Sequence, residues 1–101
     1  MGGKQINFGA VNAAATSALP SLLQRWLPDG RQQGVEWVAK NPTRHDRHSG
    51  SFKINLRTGR WADFATGDKG GDVVSLAAYL SGCGQVEAAR QLADMLGVSC
   101  D

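Results

Sequence analysis

WVAKNPTRHDRHSGSFKINLRTGRWADFATGDKGGD, at residues 37–72, is the stretch that decides the fold of this chain. In its centre, Phe52, Ile54 and Leu56 alternate with polar side chains. This period of two is typical of a strand with one buried face. The Arg-Thr-Gly sequence at 57–59 then predicts a hairpin turn.

Two further strands are predicted beside this one. Residues 60–64 return after the hairpin, and residues 34–39 have the β-branched and aromatic content of a strand, with Val35 and Trp37 on one face. Together they predict a small antiparallel sheet of about three strands. We expect the aromatic side chains of this sheet to form much of the core, namely Trp37, Phe52, Trp61 and Phe64.

Helices are predicted before and after the sheet. An alanine-rich helix begins near Gly9, and a second helix places leucines at helical spacing over residues 19–27. After the glycine-rich connection, Asp72 has the side chain of an N-cap, and a last helix ends at Gly97. The fold class is therefore α+β: a three-stranded antiparallel sheet packed with N-terminal and C-terminal helices. We expect residues 1–8 to be a flexible tail and residues 9–101 a single domain.

The bulk composition excludes several classes of protein. No apolar run approaches the roughly 20 residues that span a bilayer, and the N-terminus lacks the apolar core of a secretory signal. Cys83 and Cys100 belong to no C-x-x-C pair, which favours reduced thiols. We therefore expect a cytoplasmic protein with no membrane partner and no cofactor.

Positive side chains are concentrated in the same central segment. Between residues 40 and 60 there are six lysines and arginines against one acid, Asp46. A local basic surface attracts polyanions even on a nearly balanced molecule, although a solvated strand face remains an equally good interpretation of charge alone. Trp61 fits either a base-stacking platform or the core. The predicted nucleic-acid-binding residues are Arg44, Arg47, Lys53, Asn55, Arg57, Arg60, Trp61 and Lys69.

The sequence contains no catalytic constellation. His45, Asp46 and His48 share a polar loop without a nucleophile. The loop GDKGGD at 67–72 precedes a helix but lacks the P-loop arrangement, which favours a tight turn with a helix cap. We therefore expect a non-catalytic domain.

Residues 41–80 resemble the zinc-ribbon domain at the N-terminus of bacterial and phage DNA primases. The family's Cys-Pro-x-His, Pro-Ser-Phe and Cys-x-x-Cys motifs correspond to NPTR at 41–44, GSF at 50–52 and DFAT at 63–66. GGD at 70–72 then leads into an apolar helix, as in the family. The same motifs also resemble the N-terminal region of primase-helicase or Toprim-type proteins of phages and integrative elements.

All four metal-ligand positions of that family are changed here. Asn41, Arg44, Asp63 and Thr66 stand where thiolates and an imidazole hold zinc. Because structural zinc is held by Cys and His, we predict a degenerate ribbon without a metal. An ion pair between Arg44 and Asp63, across the two knuckles, is the expected replacement.

The resemblance implies a non-catalytic module of a mobile-element DNA primase or replication protein. It implies binding to single-stranded DNA, template DNA or RNA, with a replicative helicase or polymerase as a further partner. One alternative is a protein-interaction module that docks a helicase, a polymerase or a host defence complex. The other is a purely structural domain within a larger enzyme.

Overall fold

The computed structural model describes residues 6–44 and 50–98. In these residues the α+β class is confirmed, and the sheet has five strands rather than the three that were predicted. The elements in chain order are α1 (Phe8–Ser17), α2 (Leu19–Trp26), β1 (Arg31–Gln33), β2 (Glu36–Ala39), β3 (Phe52–Asn55), β4 (Trp61–Asp63), β5 (Lys69–Gly70), α3 (Val73–Ser81) and α4 (Gln85–Leu96).

The five strands form an antiparallel meander in the order β1-β2-β3-β4-β5. The two outermost strands escaped prediction because their residues are poor strand formers. Strand β1 reads Arg-Gln-Gln and is exposed along its length, and β5 is only Lys-Gly. Both strands are specified by pairing with a neighbour that has a strong pattern, not by their own side chains.

A tight turn joins β1 to β2 and corrects the predicted start of the second strand. Gly34 has φ +62°, a left-handed conformation that glycine adopts without steric cost. Val35 is the second turn residue and is 41% exposed, so it does not share the buried face of Trp37. Strand β2 therefore begins at Glu36.

The inner face of the sheet packs against the helices. Trp37, Phe52, Ile54 and Trp61 lie on this face and join one cluster with buried residues of all four helices. The ring of Phe52 meets Trp61 edge-on at 6.1 Å between centroids, and Tyr79 of α3 lies 4.6 Å from Trp61. Such aromatic pairs add to the stabilisation from apolar burial alone.

Phe64 does not belong to this core, contrary to the prediction. Its side chain is 71% exposed, whereas Asp63 before it is fully buried. Residues in a strand alternate between faces, and Phe52 pairs with Asp63, so Asp63 points inward and Phe64 outward. The polar Asp63 at an inward position is what misleads a pattern-based assignment.

Side-chain hydrogen bonds cap the N-termini of two helices, α3 and α1. Asp72 accepts a hydrogen bond from the backbone N–H of Ser75 at 2.8 Å, which confirms it as the N-cap of α3. Asn12 of α1 accepts another from the N–H of Val74 at 3.0 Å. At the N-terminus of α1, Asn7 is the N-cap and accepts a hydrogen bond from the backbone N–H of Ala10.

The residues next to Asn7 belong to the segment 1–8 that we predicted to be a flexible tail. Ile6 packs against the core and Phe8 is the first residue of α1, so the described end of that segment is part of the fold. None of the helices in the described ranges combines the length and apolar character needed to cross a membrane.

Candidate nucleic-acid interface

The face of the sheet turned away from the aromatic core, called here the outer face, is rich in cations. Residues that pair directly across antiparallel strands point to the same side of the sheet, so pairing defines rows of side chains. One row crosses all five strands and consists of Arg31, Val38, Lys53, Ala62 and Lys69. Because adjacent strands lie about 4.8 Å apart, its three cations follow one another at intervals of about 10 Å.

A second row lies beside the first and mixes charge signs. Glu36 pairs with Asn55, and the backbone N–H of Asn55 donates to the carbonyl oxygen of Arg60 at 2.7 Å. Glu36, Asn55 and Arg60 therefore also project from the outer face. Among the described residues, these two rows carry the cations Arg31, Lys53, Arg60 and Lys69 against the carboxylate of Glu36, so their net charge is positive.

Phe64 adds an aromatic ring to this basic surface. Its backbone N–H bonds the carbonyl oxygen of Ser51 at 2.8 Å, which extends the register of β3 and β4 by one pair. The ammonium of Lys53 lies 5.7 Å from the centre of the Phe64 ring, within the range of a cation–π contact. An exposed ring beside lysine and arginine is the usual platform for an unstacked base.

A shallow hollow of 190 Å³ lies at the centre of the outer face. It is lined by Glu36, Lys53, Asn55, Arg60, Trp61, Ala62 and Phe64. Four of the predicted nucleic-acid-binding residues are among them, so the structure brings Lys53, Asn55, Arg60 and Trp61 to this hollow. Lys69 lies on the same face, and Arg57 is exposed at the hairpin tip.

Other predicted site residues have different roles. Trp61 is 5% exposed and donates from its indole nitrogen to Ser75 Oγ at 2.9 Å, so its ring belongs to the core and not to a stacking platform. The side-chain oxygen of Asn55 accepts from the backbone of Arg57 and Thr58, which shapes the hairpin turn. Arg47 lies outside the described residues, as do His45, Asp46 and His48.

Arg44 also leaves the predicted basic set, because it binds Asp63 on the inner side of the sheet. Its Nε donates to Asp63 Oδ2 at 2.9 Å, and its terminal nitrogen donates to Oδ1 at 3.3 Å. The predicted ion pair is thus present, with the two-point geometry that a guanidinium offers a carboxylate. The same terminal nitrogen reaches Ser51 Oγ at 3.2 Å.

The ion pair belongs to a larger polar group, called here the Asp63 cluster, made of Asn41, Thr43, Arg44, Asp63 and Tyr79. The amide nitrogen of Asn41 donates to Asp63 Oδ2 at 2.9 Å and to the Tyr79 hydroxyl at 2.8 Å. Thr43 contacts Asn41 and Tyr79 through its hydroxyl. These bonds connect the loop after β2, strand β4 and helix α3 at one end of the sheet.

The electrostatics of the cluster keep Asp63 ionised. Hydrogen bonds from the Arg44 side chain hold the pKa of the Asp63 carboxyl well below its usual range. Burial acts in the opposite direction, and bonds from the Asn41 amide and the Ala65 N–H lower the pKa further. A fully buried carboxylate is tolerated here because donors surround it.

The Asp63 cluster does not fit a zinc ion. Structural zinc takes thiolate and imidazole ligands, whereas here an amide, a guanidinium and a carboxylate meet. Both oxygens of the carboxylate are already bound to donors, and Thr66 stands apart, accepting from the N–H of Asp68. In the described part of the chain, no three His, Cys, Asp or Glu side chains are grouped to hold a metal ion.

We expect the Asp63 cluster to make folding sensitive to acid. The unfolded carboxyl has a pKa of about 3.9, above the folded value, so acid protonates the unfolded state first and favours unfolding. The stabilisation is complete above about pH 5 and decreases as the pH falls through 3.9 toward the lower folded pKa. Between about pH 6 and about pH 3, Asp63 should account for about 1 kcal/mol of lost unfolding free energy.

Urea denaturation of the Asp63→Asn variant across this range checks the expectation. The variant should lose about 1 kcal/mol less than the wild-type protein on acidification. Asp94→Asn, which changes an exposed carboxylate on α4, should lose as much as the wild type. Equal acid sensitivity in wild type and Asp63→Asn would contradict the assignment.

Three outer-face residues were missed in the sequence. Glu36 alternates with Trp37, and this alone could have placed it on the face opposite the core. Phe64 was missed because a buried aspartate occupies the inward position beside it. Arg31 carried no signal, since its strand has no pattern of its own.

Comparison with known proteins leaves the site to be interpreted from its own geometry. No protein-family model matches the chain, and no curated protein matches it.

Proposed function

We propose that this chain is a non-catalytic module that binds single-stranded DNA across the outer face of its sheet. The observation that carries the proposal is the exposed ring of Phe64 among Lys53, Arg60 and Lys69 on one surface. Cations follow a phosphate backbone, and an exposed ring stacks on a base. In a duplex the faces of the bases are buried in the stack, so a duplex can use the cations but not the exposed ring. A single strand can use both, which favours single-stranded DNA as the ligand.

We further propose that the module belongs to a mobile-element primase or related replication protein. Its support is the order of motifs in residues 41–80 and the position of the Asp63 cluster. Asn41, Arg44 and Asp63 occupy three of the four positions that hold zinc in the family it resembles, and their side chains meet across the hairpin. The cluster then does for the ribbon what zinc does in the family: it connects two loops.

The proposal predicts salt-dependent binding that needs the outer face. For the Lys53→Gln/Arg60→Gln variant, we expect the affinity for a labelled single strand of about 12 nucleotides to fall roughly 25-fold near 0.1 M salt. This follows from two lost phosphate contacts, each of which contributes about 0.7 to the slope of log affinity against log salt for a single strand. Fluorescence anisotropy at about 50 and 200 mM salt measures both quantities.

The matched control removes the same charge elsewhere. Arg25→Gln/Arg90→Gln changes exposed cations on α2 and α4 and should leave both the affinity and the slope close to wild type. An equal loss in the two variants would mean that only net charge matters. If the wild-type protein binds no strand at low salt, the proposal is wrong and the alternative, docking to an acidic protein surface, takes its place.

A further inference from the structure

The shallow hollow on the outer face brings a small residue, an aromatic ring, cations and a carboxylate together. Ala62 lies on this face between Lys53 and Lys69 in its row. Its methyl group leaves space that the longer side chains around it enclose. Phe64 lines the same hollow and offers a ring on which a base can stack.

Glu36 is the feature of the hollow that phosphate binding does not explain. It is half-buried, and within residues 6–44 and 50–98 no lysine or arginine forms an ion pair with it. A carboxylate repels phosphate, so on a surface for the backbone alone it weakens binding. It accepts hydrogen bonds and donates none, so it suits the N–H groups of a base edge.

The hydrogen-bond donors on the edges of the bases indicate which base Glu36 would bind. In a single strand the Watson–Crick edges are free to be bound. Guanine presents two adjacent donors on this edge, N1–H and the 2-amino group, which match the two oxygens of a carboxylate. Adenine, cytosine and thymine each present donors from only one atom there.

We propose that the hollow binds a guanine base of a single strand, with Glu36 accepting from N1–H and the 2-amino group and Phe64 stacking on the base. Lys53 and Arg60 then hold the neighbouring phosphates. This inference rests on the proposed function, since it adds base selection to the same surface. It predicts a binder of single strands with a preference at one nucleotide.

The test uses labelled oligothymidine of about 12 nucleotides with one central position changed to guanine, adenine, cytosine or inosine. We expect the guanine strand to bind roughly tenfold more tightly than oligothymidine, since a two-point contact to a base gives discrimination of this order. Inosine lacks the 2-amino group and should lose most of the gain. Glu36→Gln should abolish the guanine preference and tighten oligothymidine binding, because it removes a negative charge from the outer face.

Two further variants separate base reading from charge and from folding. Glu87→Gln makes the same charge change at an exposed position of α4 and should keep the guanine preference. Ala62→Val places a larger side chain in the hollow, and valine is well tolerated in a strand. This variant should lose the guanine preference while it still binds oligothymidine. Each of these results supports the inference.

Three outcomes would overturn it, and they differ from failure of the proposed function. If the wild-type protein binds all the strands equally, or if Glu36→Gln keeps the preference, the guanine assignment is wrong. Single-strand binding itself is then still supported. Preference retained in Ala62→Val ends the assignment of the hollow. A protein that binds none of the strands overturns the proposed function and this inference together.

Discussion

The Asp63→Ala variant should lose about 3–5 kcal/mol of unfolding free energy, because the substitution leaves charged and polar donors without their acceptor. Asp63 is fully buried and accepts from Arg44, from Asn41 and from the backbone of Ala65. Removing one partner of such a pair costs far more than an exposed salt bridge contributes, since the remaining guanidinium stays partly desolvated. Urea denaturation followed by tryptophan fluorescence measures the loss.

The matched control is Asp94→Ala, an exposed carboxylate on α4, which should change stability by no more than about 0.5 kcal/mol. A double-mutant cycle with Arg44→Ala then isolates the interaction between the two side chains. Should Asp63→Ala be unfolded in buffer, Asp63→Asn keeps the volume and supplies a measurable intermediate. A loss below about 1 kcal/mol in Asp63→Ala would show that the cluster does not hold the two loops together.

The central hairpin and the helix after it could be predicted because their residues carry strong local signals. Phe52 and Ile54 alternate with polar residues, and both are buried as this pattern requires. Asp72 has the side chain of an N-cap and acts as one. The Arg44–Asp63 ion pair was also predicted, since the two positions fall at facing knuckles of the ribbon that the sequence resembles.

The edges of the sheet and part of the site could not be predicted, because they depend on tertiary context. Strand β1 is polar and β5 contains glycine, and each forms only because a neighbouring strand offers hydrogen bonds. Phe64 is exposed, although we predicted it in the core. Trp61 is buried, which fits its prediction as a core residue and not its alternative prediction as a stacking platform. The placement of Phe64 follows from the inward position of Asp63, whose side-chain partners Asn41 and Arg44 lie 22 and 19 residues away in the sequence.

Phe52 and Phe64 provide a comparison between the two faces of one strand pair. Phe52→Ala should destabilise the protein by about 3–5 kcal/mol, since the ring is fully buried and its removal leaves a cavity. The cavity would lie beside Trp61 and Tyr79, whose ring centroids are 6.1 and 6.2 Å from that of Phe52. Urea denaturation measures this loss, and Phe52→Leu should recover part of it by refilling the space.

Phe64→Ala is the counterpart on the outer face, and we expect it to reduce single-strand affinity and not stability. Stability should change by no more than about 0.5 kcal/mol, because the ring is 71% exposed. Single-strand affinity should fall roughly tenfold, since stacking on an aromatic ring contributes about 1–3 kcal/mol per base. Phe64→Trp, which keeps a stacking ring, should retain binding, whereas a destabilised Phe64→Ala with unchanged affinity would place the ring in the core and the binding surface elsewhere.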